Sequence, residues 1–305
     1  PVAALRNPTA FQGTEFARVE VVETDLFDER SVIAAAEGVE AIAAHLPFVF
    51  DLEAATTLGR HIAAATIQNC VKKVVLNTSC FVAEEDNGNP AHDGRRAIEQ
   101  AIISSGAAFA LFEPKVFMDN LIRGWNKPAI VKQGIFAYPA KPDLRISWIC
   151  LDDVAGYMVE ALTRTDLPSA RYAIGGPEAL VGDEVAERLS KVVGRAITFN
   201  SLTPDEFASG MSLLVTGSST VEPHSIYNGM AGFYRFYNER PVSPLIADNA
   251  RIDSVFNWRP VTFEEWAARQ DWDDISDPAL RIRLADFPDR SYYGGCAVRG
   301  QGSET

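Results

Sequence analysis

From its first residues to about residue 112, the chain alternates short apolar runs with segments of helical period, and no other feature constrains its fold as strongly. Residues 2–5, 19–22, 39–46, 73–76 and 109–112 are predicted strands. Between them, residues 28–37, 52–69 and 93–105 carry helical signals. Asp28 is placed as an N-cap, and Leu52, Ala55, Leu58, Ile62 and Ala65 recur at helical spacing. Gly106 follows the third helix as a C-terminal stop. Strands with little polar alternation, joined by helical crossovers, make a parallel sheet covered on both faces. Right-handed crossovers turn that sheet into a doubly wound α/β fold.

After Gly124 the pattern changes. Residues 129–138 resemble a hairpin around Gln133-Gly134, residues 144–149 and 171–174 strands, and residues 152–162 and 181–193 helices. Thr203-Pro204-Asp205-Glu206 and Thr262-Phe263-Glu264-Glu265 both place Thr at an N-cap and Glu three positions on, the signature of a capping box. The predicted organisation is a Rossmann-like core over 1–178 with a hairpin insertion near 129–142. A smaller, mostly helical lobe over 179–290 forms the substrate cleft, and residues 291–305, rich in Gly and polar residues, form a flexible tail.

Charge narrows the partners. A net charge of -13 repels phosphate backbones and anionic lipid, which argues against nucleic acid and membrane surfaces and leaves a small-molecule substrate. No apolar run reaches the ~18–20 residues of a membrane span. Cys70, Cys80, Cys150 and Cys296 make no C-x-x-C pair and have no zinc spacing, so no metal site is expected. They read as reduced thiols of a cytoplasmic protein. A homo-oligomer stays open. The first residue is Pro1, consistent either with a removed initiator Met or with a start inside a longer gene.

Several segments in order resemble the NmrA-like branch of the short-chain dehydrogenase/reductase superfamily. They are residues 19–28 (VEVVETDLFD), 31–47, 63–79 with CVKKVVLNTS, 105–120 ending in Phe117-Met118-Asp119-Asn120, 174–180 (IGGPEAL), and Glu264-Glu265-Trp266-Ala267 with Gln270-Asp271-Trp272. The resemblance covers residues 2–272 and implies an NAD(P)-binding Rossmann fold. Ala4-Leu5-Arg6-Asn7-Pro8 resembles the end of the family's second strand, so a first strand, glycine-rich turn and first helix are expected upstream. Those glycines let backbone approach a pyrophosphate at a helix N-terminus. The implied cofactor is NADP(H) where that segment exists, and none otherwise.

The resemblance implies a set of roles. Arg6, where an acidic residue would favour NAD, suits the 2′-phosphate of NADP. Asp25 and Leu26 fall in the loop that meets adenine, although Asp25 serves equally as a turn cap. Pro47 ends the strand that passes the cofactor, with His45 a packed neighbour. Thr78 and Ser79 lie on the ligand edge, where their alternative role is to satisfy a local turn. Phe117 and Asn120 line the cleft, and Phe117 also suits the core. Two departures stand out. Arg95 occupies the place of a family Lys, and no Tyr stands four residues before it, so the Tyr-x-x-x-Lys proton donor is missing. Arg95 can still hold an anion or ribose hydroxyls, and His92 nearby is expected to titrate near neutrality. Glu113-Pro114 replaces Arg-Pro; desolvated, Glu113 would be a general acid or base. His92, Arg95 and Glu113 are therefore the catalytic candidates, and Pro114 joins the cofactor-binding group.

Three functions follow. One is an NADP(H)-dependent reductase of a small carbonyl, enone or quinone-like molecule. A second is a non-catalytic NADP(H)-responsive regulator. A third is a cofactor-independent isomerase or cyclase using His92, Glu113 or Asp119 in the same cleft.

Overall fold

The computed structural model describes residues 1–8, 18–47, 49–223 and 225–273. The predicted tail at 291–305 and the end of the predicted lobe lie outside them.

The first half follows the alternation. β1 (Val2–Leu5) and β2 (Glu20–Glu23) are followed by α1 (Glu29–Ala35), β3 (Ala41–His45), α2 (Leu52–Gln68), β4 (Lys73–Asn77), α3 (Pro90–Ser104) and β5 (Ala108–Pro114). Asp28 caps α1 by accepting from the Arg30 N–H, and Asp51 caps α2 through Ala54. α3 begins earlier than residue 93, because Asn89 caps it and Pro90 fills its first position, where the missing N–H costs nothing.

Next come β6 (Val116–Phe117), a 3₁₀ turn at Met118–Ile122, α4 (Lys127–Gln133), β7 (Ile135–Tyr138), β8 (Ile146–Ile149), α5 (Leu151–Thr163) and β9 (Ala170–Ile174). β10 (Ala179–Leu180), α6 (Gly182–Val193), β11 (Thr198–Ser201), α7 (Pro204–Thr216), α8 (Ile226–Asn238), α9 (Asn249–Val255) and α10 (Phe263–Ala268) complete the described chain. Both Thr203 and Thr262 form the capping boxes that their sequences specify.

The expected hairpin at 129–138 is corrected. Residues up to Gln133 are helix, and Gly134 ends it at φ +69 with its N–H on the Ile130 carbonyl. Gln133-Gly134 is thus a left-handed helix stop rather than a hairpin turn. β7 then pairs in parallel with β11, far along the chain.

β3, β4, β5 and β9 form one parallel sheet in the order β3-β4-β5-β9. Its two faces are both covered. Val74, Leu76 and Leu111 point into one core with α1, α2 and α3, while Val75, Ala110 and Phe112 point into another with α5 and α9. A third core, around Phe136, Tyr138, Trp148, Phe263 and Trp266, holds the remaining elements together. β1 and β2 form a separate parallel pair. They are tied to the rest through α1 against α2, through His61 Nδ1 donating to the Leu26 carbonyl at 2.9 Å, and through Asn69 Nδ2 donating to the Ile33 carbonyl at 2.9 Å.

Candidate functional site

Parallel strands put all four carboxyl ends of the main sheet on one edge, where Rossmann-like folds hold ligands. There His45 stands opposite Asn77 in register, and Asn77 Nδ2 donates to His45 Nδ1 at 3.1 Å. Burial, then the charge of Arg95, holds the His45 pKa below its usual value. The Ser79 N–H donates to Asn77 Oδ1 at 2.8 Å. Ser79 itself has φ +66, a left-handed conformation uncommon outside glycine. Its Oγ is buried and has no hydrogen-bond partner. Thr78 Oγ1 shares its hydrogen between the Cys80 carbonyl at 2.6 Å and the Phe112 carbonyl at 2.9 Å, so its hydroxyl serves the turn.

Arg95, 3% exposed, reaches from α3 to the same edge, and its Nη1 donates to the Pro47 carbonyl at 3.0 Å. This holds the backbone after β3 from behind. Arg95 also touches Cys80, whose thiol is pushed up to about 12 by burial and stays protonated. Cys80 is no nucleophile.

Below the edge lies a buried charge network that the sequence did not reveal. Arg171 on β9 places Nη2 2.6 Å from Glu99 Oε2 and Nε 3.9 Å from Glu113 Oε1. Burial, then the Glu113 charge, pushes Glu99 up to about 8 against the pull of Arg171. Burial also raises Glu113, opposed by Lys115 and Arg171. Lys115 Nζ donates to the Pro244 carbonyl at 3.0 Å and stands 5.0 Å from the centre of the Phe81 ring. Burial thus favours the protonated form of both carboxyls, while Arg171 and, at Glu113, Lys115 pull the other way. Lys115 follows Glu113 by two residues, but Arg171 is far along the chain from both Glu99 and Glu113, so only the folded register joins it to them.

His92 is 0% exposed. Its Nδ1 lies 3.1 Å from the Phe81 carbonyl, which can only accept, so Nδ1 carries the hydrogen. Nε2 is left with an unpartnered lone pair. Burial lowers the His92 pKa to about 4, which corrects the expectation of titration near neutrality. Its ring is surrounded by Phe236 at 4.5 Å, Phe233 at 5.5 Å, Tyr237 at 5.7 Å and Phe81 at 5.9 Å between centroids.

Two cavities flank α8. One, about 460 Å³, lies among residues 50–51, the start of α3 and the face of α8 carrying Gly229, Gly232 and Phe236. The other, about 390 Å³, lies between residues 81–87 and the stretch from Phe236 to Pro244. None of the site residues named from the sequence lines either cavity. Pro47, Thr78, Ser79 and Arg95 are brought together at the edge, and His92 lies under the Phe236 ring that both cavities share. Glu113 and Pro114 end β5 and are buried. Phe117 packs into the core beside α5. Asn120 bonds to the Tyr138 hydroxyl, which pairs with Tyr234 at 3.3 Å, so it braces that core. Asp119 Oδ2 accepts from the Leu151 N–H at 2.9 Å, at the start of α5. Arg6 and Asp25 are exposed on the β1–β2 pair, and Asp25 Oδ1 accepts from the Phe27 N–H in its own turn. Leu26 is half-buried. Among the described residues no cluster of His, Cys, Asp and Glu could hold a metal, and no helix is long and apolar enough to cross a membrane.

Over residues 2–267 the chain matches the sequence model of the NmrA-like family. It is 31% identical over 204 residues to an NAD(P)H azoreductase of Xenophilus azovorans, covering 64% of this chain and 65% of that protein. It is 30% identical over 187 residues to a (4-alkanoyl-5-oxo-2,5-dihydrofuran-3-yl)methyl phosphate reductase of Streptomyces griseus, covering 61% and 64%. The match thus spans just under two thirds of the length of either relative. Among solved structures, the fold is similar to that of an NADPH-dependent quinone oxidoreductase from Escherichia coli complexed with NADPH, with a TM-score of 0.70, 19% identity, and coverage of 88% of this chain and 89% of that one. It is also similar to a Citrobacter triphenylmethane reductase complexed with NADP(H), with a TM-score of 0.71, 17% identity, and coverage of 88% and 89%.

Proposed function

The chain belongs to the NmrA-like family, and from that premise we propose that it is an NAD(P)H-dependent oxidoreductase acting on a small carbonyl, enone or quinone-like molecule. One observation carries this: the shared carboxyl edge of the parallel sheet, with Pro47 and Ser79 on it, in a chain matched by the family over residues 2–267. The reductase names of its relatives support the same chemistry. The division into a nucleotide-binding core over 1–178 and a lobe that closes the substrate side belongs to this proposal.

The described residues fit one end of the cofactor. Ser79 Oγ is a buried, unpartnered polar atom on the edge, suited to a ribose or carboxamide oxygen. Arg95 is a positioning residue that fixes the backbone at Pro47. Arg6, at the end of β1, suits a 2′-phosphate, and half-buried Leu26 suits an adenine face better than Asp25, whose carboxylate is engaged in its own turn. The pyrophosphate end is different: no glycine-rich turn opens a helix among the described residues. NADP(H) is therefore proposed on the condition that a glycine-rich strand, turn and helix precede Val2. When bound, the nicotinamide supplies the hydride. Glu113 is the protein's proton-holding candidate on the substrate side, kept able to hold a proton by burial.

The experiment is NADPH consumption by protein expressed from its full reading frame, against a panel of quinones, enones and azo dyes. Turnover of at least one is expected. Neither cofactor binding nor turnover would overturn the assignment, whereas binding without turnover across the panel would favour the regulatory role, to which the missing Tyr-x-x-x-Lys pair already points.

A further inference from the structure

β3 and β4 end in register, and their last residues begin a chain of hydrogen bonds whose direction the backbone dictates. The Ser79 N–H, 2.8 Å from Asn77 Oδ1, can only donate, so the oxygen end of the Asn77 amide is committed to it. The Nδ2 end therefore faces His45 Nδ1 at 3.1 Å, and Nδ2 can only donate. Nδ1 must then be the acceptor, and neutral His45 carries its hydrogen on Nε2. An imidazolium carries hydrogen on both nitrogens. Its Nδ1–H would meet the Nδ2–H donors of Asn77, and turning the amide over would set those same donors against the Ser79 N–H. No orientation of Asn77 serves both ends once His45 is charged. At the far end of the chain stands Ser79 at φ +66, whose Oγ is buried without a partner at the sheet edge.

We propose that His45 and Asn77 are positioning residues for Ser79, a relay that holds its backbone in the left-handed conformation, and so aims its hydroxyl, only while His45 is neutral. The surroundings of His45 agree with a neutral ring. Burial, and then the Arg95 charge from α3, both disfavour the imidazolium. From β4 the ring meets the uncharged Asn77 amide. α5 also packs on β3, but its Asp153 accepts from the Trp258 indole and the Val261 N–H, its Glu160 accepts from Asn257 and Arg164, and its Asp152 is exposed. The other side of the turn is held by Thr78 Oγ1 on the Cys80 carbonyl at 2.6 Å, a bond that does not titrate. The Ser79 N–H is thus the part of the turn that answers to His45. On the reductase reading, the relay readies Ser79 Oγ for a ribose or carboxamide oxygen near neutral pH and loosens it in acid. The relay rests on that reading only in giving the hydroxyl its ligand.

The test is NMR of the chain without nicotinamide. The ring-nitrogen spectrum of His45 should show hydrogen on Nε2 at neutral pH, and the Ser79 amide signal should move with the His45 titration as pH falls. His45→Gln keeps an acceptor for Asn77 but takes no proton, so the Ser79 amide should stay at its neutral-pH position throughout. Asn77→Asp accepts at both ends, so the His45 hydrogen should shift to Nδ1 and the His45 pKa should rise by about one pH unit or more. A pair of residues that only packs would produce neither change. Hydrogen on Nδ1 in the wild-type chain, or a Ser79 amide signal indifferent to the His45 titration, would sink the relay, and both are read without any variant. With no cofactor in the sample, that failure would leave the reductase assignment untouched, and the NADPH-turnover panel decides that assignment separately.

Discussion

Leu5 in β1 and Leu76 in β4 sit in short parallel strands of similar apolar composition, yet Leu5 is half-buried and Leu76 is 1% exposed. The same contrast holds for whole regions. β4 and β5 have partners on both sides and helices on both faces. β1 and β2 have only each other, and neither places a residue in any of the three buried cores. β3, at the other side of the break, is an edge strand with Ala43 exposed in its middle. Apolar patterning therefore specifies that a strand forms, while its neighbours decide how much stability it contributes. On the function proposed above, a glycine-rich strand pairing with β1 and β3 would bury Ala43, join the two sheets and bring Arg6 into the cofactor's reach.

The sharpest way to break this contrast is a matched pair of truncations. Leu76→Ala should cost ~3–5 kcal/mol, the range for a buried leucine whose cavity cannot collapse, and Leu5→Ala less than ~1 kcal/mol. Urea unfolding midpoints would decide; equal losses would mean that the β1–β2 pair is as much a part of the core as the main sheet.

The next effect is electrostatic and belongs to α3, which packs on the main sheet and carries both groups. Glu99 titrates near 8 in the folded chain, above the ordinary value of ~4.5 for an unfolded glutamate. The folded state then binds more protons between those values, so stability is fully present below the lower one and falls as pH rises towards 8. His92, lowered to about 4, acts oppositely, adding stability as pH rises from 4 to its ordinary ~6.5. Between pH 7 and 8 the His92 contribution is flat, so stability should fall with pH there, and Glu99→Gln should flatten the slope. An unchanged slope in the variant would assign it to another group.

The smallest comparison sets two turn residues side by side. Thr78→Ala after β4 removes a buried hydroxyl shared by two carbonyls and should cost ~1–2 kcal/mol. Asp25→Ala after β2 removes one exposed turn bond and should cost about 0.5 kcal/mol or less. A larger loss at Asp25 would show that the ribbon's turn is structurally more important than its exposure indicates.

These pairs also mark where the sequence was legible. Alternation located β3, β4 and β5; β9 is legible as a strand beyond the change of pattern, and the Thr203 and Thr262 caps followed from local spacing. Gln133-Gly134 misled because the same dipeptide serves a hairpin or a helix stop, and only the helix before it decides. At the site, Thr78 could be weighed from its turn chemistry. The contact of Arg171 with Glu99 and Glu113 could not, nor could the aromatic enclosure of His92, because both join residues far apart in the chain through strand register and helix packing.

The most direct test is an NADPH titration, followed by cofactor fluorescence, of residues 1–305 and of the same residues preceded by a glycine-rich strand, turn and helix. Completion of the edge should tighten binding by about 100-fold or more, ~2.7 kcal/mol, because the pyrophosphate then gains its helix N-terminus. Equal affinity in the two proteins, or no binding by the longer one, would contradict a dinucleotide site built on the edge at Pro47 and Ser79.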